Sequence, residues 1–177
     1  GYAVAAPDYL GLGIGPGRHP YAHAPTEATA SVDLLRATRA LTSRERRELD
    51  GNVLVTGFSQ GGQAAVARGR ELQEGKAPGF APAAIAAVSG PYDLRHAQAP
   101  AAVDGRVTPR AAVIYLAYWI TAMNDIYHFY DDPAEAFLPP YAARVERLFD
   151  GSHDLVNIVL NLPATRSEEH TSELQSL

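Results

Sequence analysis

The sequence predicts an α/β fold, a partial parallel sheet followed by a helical insertion, and three observations carry that prediction. Short apolar or β-branched runs at 2–6, 52–57 and 83–88 alternate with stretches of helical periodicity at 27–41 and 60–74. A Gly-x-Ser-x-Gly motif sits at 57–61, where the second of those strands meets a helix. Beyond residue 93 the strand signals stop and only helical patterns follow. Strands separated by helices pair in parallel, because a crossover needs a dozen or more residues and a helix supplies them.

Taken in order, Tyr2-Ala3-Val4-Ala5-Ala6 is short and apolar and runs into Pro7-Asp8, which suits a buried parallel strand entering a loop. The loop that follows, about 9–25, is rich in Gly and Pro. Residues 27–41 place Ala28, Val32 and Leu35, and beside them Leu34, Thr38 and Leu41, at helical spacing, with Arg36 and Arg39 outward. Asp50-Gly51 signals a turn before the strand Asn52-Val53-Leu54-Val55-Thr56-Gly57. The helix from Gln60 begins with small residues and is closed by Gly75; the strand at 83–88 is broken by Gly90-Pro91. Thr108-Pro109 predicts an N-cap with Pro at the first helical position, and Asp132-Pro133-Ala134-Glu135 has capping-box form. Pro139-Pro140 restarts the chain into a helix at 141–149, and Ser152 is the expected cap of a last helix reaching residue 160. The expected organisation is a partial core at 1–95 and a helical cap region at 96–165.

Residues 166–177 differ from all of this. They lack apolar periodicity and resemble a translated sequencing-library adapter, so they and His170 stay outside the functional reading. The chain opens on a strand-like run without an initiator Met, and the expectation is an internal piece of a longer protein.

Composition narrows the function. Of 177 residues, 46% are hydrophobic and 20% charged, which is globular rather than disordered. A net charge of −5 offers no basic face for nucleic acid, and no polybasic stretch suggests a membrane surface. The longest apolar run, 111–123, is too short to span a bilayer. With no cysteine there is neither disulfide nor thiolate metal site, and no His/Asp/Glu spacing suggests a metal centre. The expectation is no metal and no cofactor. Gly11-x-Gly13-x-Gly15-x-Gly17 fails as a dinucleotide fingerprint, because Pro16 and Arg18 stand where its third glycine belongs.

The chemistry is concentrated at Gly57-Phe58-Ser59-Gln60-Gly61. A serine nucleophile must project its hydroxyl clear of the sheet, which requires a sharp, strained turn. Glycines are expected on either side, Gly57 and Gly61, because a Cβ at either place would strike the crossing strand or helix. The helix from Gln60 then points its N-terminal N–H groups toward a developing oxyanion, with the N–H of Gln60 as one donor.

Several segments together resemble one family. They are Gly1-Tyr2-Ala3-Val4-Ala5-Ala6-Pro7-Asp8-Tyr9-Leu10-Gly11-Leu12-Gly13, His19-Pro20-Tyr21, Asp33-Leu34-Leu35-Arg36-Ala37, the motif continued through Gly62, and Ser89-Gly90-Pro91-Tyr92-Asp93-Leu94. The sequence is similar to α/β hydrolases of the secretory-lipase type over essentially residues 1–165. That resemblance implies an esterase or lipase, often exported, acting on a small ester or lipid substrate, with a helical cap inserted before the triad acid. It implies Ser59 as nucleophile and Gln60 as oxyanion donor, with the triad Asp and His in sequence that the chain does not contain.

Other readings compete. Asp93 ends the strand after the Gly57-to-Gly61 turn, where some α/β hydrolases carry their acid; the family resemblance favours a structural or pocket-lining role for it. His153 stands between Ser152 and Asp154, but adjacent residues at a helix start do not face one another. His19, His23, His96 and His128 fit structural hydrogen bonding. A prolyl-oligopeptidase-like peptidase shares the elbow but normally lacks a helical cap, and a non-catalytic binding module of the same fold is the alternative from another class. Oligomeric state is not legible.

Overall fold

The structure, a computed structural model, describes residues 1–165; the adapter-like stretch 166–177 lies outside the described residues. The chain divides into two compact units, one of Gly1–Gly17 with Ala22–Tyr92, the other of Arg18–Tyr21 with the chain from Asp93 onward.

The first unit is the α/β part. Helix α1 (Ala24–Arg44) turns Glu27, Ala28, Ser31, Val32 and Leu35 inward, a single face at helical spacing. The second expected stripe is only partly buried: Leu34 and Thr38 are half-buried and Leu41 is exposed. Strand β1 (Asn52–Phe58), helix α2 (Gln60–Gln73) and strand β2 (Ala81–Val88) follow, and the two strands pair in parallel from Asn52 opposite Ala81 to Phe58 opposite Val88. Val53 and Val55 point to one face of β1, where they pack with Val32, Leu35, Ala65, Leu72, Ala77 and Phe80. On the other face Leu54, Phe58 and Val88 are exposed, the uncovered apolar face expected of a partial sheet.

The turn before β1 has a local cause. The Asp50 side chain accepts a hydrogen bond from the Asn52 N–H, and Gly51 adopts φ +84 with the Gly79 carbonyl where a Cβ would stand. The strand expected at 2–6 is absent from the sheet. A strand persists only with a hydrogen-bonding neighbour, and neither β1 nor β2 pairs with this segment, whose Tyr2 and Val4 are 87% and 89% exposed.

The second unit is helical among the described residues. A π-helical turn (Leu94–Gln98) leads into α3 (Ala99–Val103), then α4 (Pro109–Tyr127), a 3-10 turn (Pro133–Glu135), α5 (Val145–Leu148) and α6 (Leu155–Asn161). Its core gathers Val113, Ala117, Val145, Leu148, Phe149 and Leu162. Tyr118 stacks between Tyr21 and Phe149, with centroids 4.4 and 4.6 Å away. No helix of the described residues is long and apolar enough to cross a membrane.

The caps divide instructively. Asp132 and Glu135 form the expected capping box. Thr108 precedes Pro109 as expected but makes no side-chain cap bond. The helix expected over 141–149 shortens to α5. Asp154, not Ser152, caps α6, accepting from the Asn157 N–H at 2.7 Å. Ser152, two residues before that cap, donates its hydroxyl to Asp150 instead.

Candidate active site

Ser59 occupies the junction of β1 and α2 with φ +54 and ψ −122, a conformation an L-residue adopts only where its surroundings compel it. Three backbone bonds compel it here. The Ser59 N–H donates to the Val88 carbonyl at 2.9 Å, extending the β1–β2 ladder one residue past the strand. The Ser59 carbonyl accepts from the N–H groups of Gly62 and Gln63, which starts α2. The residue is thus held by the sheet on one side and the helix on the other. Its side chain is half-buried, and among the described residues none hydrogen-bonds its hydroxyl.

The glycines sort differently from the expectation. At Gly57 a Cβ would lie 2.0 Å from the Gly61 carbonyl oxygen and 2.3 Å from its carbon, so glycine is required. At Gly61 a Cβ would meet nothing within 4 Å. The steric demand falls on Gly62, where a Cβ would sit 2.8 Å from the Val88 carbonyl and 3.1 Å from the Tyr92 hydroxyl. The helix packs on the strand end through Gly62 because that position faces β2, whereas Gly61 points away from it.

Gln60 opens α2 at its first position, where a backbone N–H has no acceptor within the helix. Its side chain donates to the Glu27 carboxylate, Nε2 to Oε1, at 2.7 Å. Glu27 lies on the inward face of α1 at 0% exposure, and its Oε2 is buried without a hydrogen-bond partner. Burial pushes its carboxyl up to about 6, while the Gln60 bond and the nearby Ala22 backbone N–H pull the other way. Gln63, one turn into α2, donates to the Ala22 carbonyl at 3.0 Å. Tyr9 lies near enough to Glu27 for its hydroxyl pKa to be raised, by burial first and by that charge second. Glu27 escaped the sequence reading, which followed apolar residues; the signal was an acidic residue on the same face as Ala28, Val32 and Leu35.

Each remaining candidate has its own partners. Asp93 is in the second unit, half-exposed, and caps the π-helical turn by accepting from the His96 N–H, with His96 Nδ1 at 3.1 Å. His153 is 3.2 Å from Asp150 and 3.1 Å from Ser152 through its Nδ1, so Asp154 is not its partner. Both contacts use one ring nitrogen, and Asp150 is lowered to about 2 chiefly by its bonds from Ser152. His19 is buried edge-on to Tyr21 and Tyr118. His23 precedes α1 beside Thr26, its pKa lowered by burial.

Against known proteins, no family model and no curated protein matches the chain. Solved structures do. The rice cell wall degrading esterase LipA from Xanthomonas oryzae is 32% identical with a TM-score of 0.81, over 95% of this chain and 47% of that one. A hydrolase from Legionella pneumophila is 28% identical with a TM-score of 0.85, over 99% of this chain and 48% of that one. A ligand-bound form of the Xanthomonas esterase gives 33% identity and a TM-score of 0.80. The chain spans just under half the length of these proteins. Its parallel strands with their crossover helix, and its likeness to an esterase and a hydrolase over nearly all its length, are consistent with an esterase-type α/β-hydrolase fragment.

Proposed function

We propose that the intact protein is a serine hydrolase that cleaves carboxylic esters through an acyl-enzyme on Ser59. The observation that carries this reading is the Ser59 backbone, held at φ +54 between strand and helix. Such strain is costly, of order 1–3 kcal/mol, and is kept where a side chain must be presented at a fixed angle. The Ser59 oxygen attacks the ester carbonyl as its proton passes to a general base. The tetrahedral oxyanion is held by the Gln60 N–H and a second donor, the alcohol leaves with a proton, and water releases the acid. α2 carries no acidic residue of its own in its first turn, and its N-terminal N–H groups point where the oxyanion forms.

No described side chain hydrogen-bonds Ser59, and the order serine, acid, histidine common in this fold assigns the base to sequence beyond residues 1–165. The helical second unit corresponds, on this reading, to the cap that the family resemblance implies. Hydrolysis of a p-nitrophenyl ester by the intact protein, abolished in Ser59→Ala, is the expected result, and residues 1–165 alone give none. Full activity in Ser59→Ala contradicts the assignment.

A further inference from the structure

The inward face of α1 holds a group that packing does not require. Glu27 stands among Ala28, Ser31 and Val32, fully buried, with one oxygen unpartnered. An apolar side chain there would avoid the desolvation penalty of a carboxyl group. What the carboxyl does make is the 2.7 Å bond to Gln60, the residue directly after Ser59. A parallel tie, Gln63 to the Ala22 carbonyl, joins the same turn of α2 to the segment just before α1, where Ala22 itself is held at φ +58. Two amide side chains from the first turn of α2 are thus anchored on the start of α1.

We propose that Glu27 is a positioning residue for the elbow: through the Gln60 side chain it fixes the first residue of α2, and with it the backbone N–H offered to the oxyanion. The proposal rests on the reading of Ser59 as nucleophile. Glu27 touches no reacting atom; it acts through Gln60. The groups facing it are Gln60 from α2, the Ala22 backbone before α1, and Tyr9 from the preceding loop, with Arg68 of α2 beside Tyr9. A donor misplaced by about an ångström at an oxyanion site costs rate in the chemical step while leaving ground-state binding nearly unchanged.

The test uses the intact protein, with p-nitrophenyl butyrate turnover and fluorophosphonate labelling read side by side. Glu27→Ala is expected to lower kcat by about 10- to 100-fold with KM within about twofold. Glu27→Gln keeps an oxygen to accept from Gln60 and is expected to recover kcat to within a few-fold of the wild type. Unchanged kcat in Glu27→Ala, or equal losses in the Ala and Gln variants, overturns the proposal. Should Glu27→Ala fail to fold, Gln60→Met removes the donor and keeps the backbone N–H, and is expected to show the same kcat loss; full activity there overturns the proposal too. Wild-type protein that the probe does not label at Ser59 removes the nucleophile reading itself, an outcome separate from all of these.

Discussion

At the scale of single residues, Glu27 is where stability and chemistry pull apart. Its carboxyl titrates at about 6 in the folded chain against 4.5 for an unburied one, because burial disfavours the charge. A folded-state value above the unfolded one means that the folded state binds the proton more tightly. The stabilisation is therefore complete below about pH 4.5 and is lost as pH rises through 6, a change of about 2 kcal/mol. Glu27→Gln carries no such titration. Denaturant unfolding at pH 4 and pH 8 is expected to show wild type gaining about 2 kcal/mol on the variant at the acid end. A stability difference that does not change with pH would show that Glu27 is not held in the environment described. Ser59 makes the complementary case: its type and spacing were legible in the sequence, since Gly57-x-Ser59-x-Gly61 follows a β-branched run. Glu27 was not, because an acidic residue on a helix reads as solvated unless its face is known.

At the scale of elements, the elbow depends on how closely α2 crosses the end of β1. The sequence motif names Gly57 and Gly61, but an added Cβ would collide at Gly57, 2.0 Å from the Gly61 carbonyl oxygen, and at Gly62, 2.8 Å from that of Val88. Gly57→Ala is therefore expected to destabilise the chain by about 3 kcal/mol or more, or to prevent its folding, since backbone atoms cannot yield as a flexible side chain can. Gly61→Ala has open space and is expected to change stability by less than about 1 kcal/mol. Thermal unfolding of the two variants distinguishes them; equal destabilisation would refute the packing described. Helices and their order were legible where periodicity was long, as in α1 and α2, or where a cap signal preceded an apolar run, as in α4. Ends were less so. Asp154 caps α6 in place of Ser152 because the helix begins at Leu155, and Ser152, two residues too early to reach its N–H groups, bonds Asp150 instead. The run at 2–6 has strand composition, but composition does not supply a neighbour with a free edge.

At the scale of the whole molecule, the α/β unit shows what a sheet of two strands lacks. One face of β1 and β2 is covered by α1 and α2; the other leaves Phe58 71% exposed beside Leu54 and Val88. An apolar face of this kind favours association, and the solved structures the chain matches are about twice its length. The central claim is that Ser59 is the nucleophile, and a fluorophosphonate reagent tests it most directly, because it forms a covalent bond only with an activated hydroxyl. Mass spectrometry of the labelled intact protein is expected to find one adduct, on the peptide that contains Ser59, and none in Ser59→Ala. An adduct that survives Ser59→Ala, or no adduct under conditions that label other serine esterases, would contradict it.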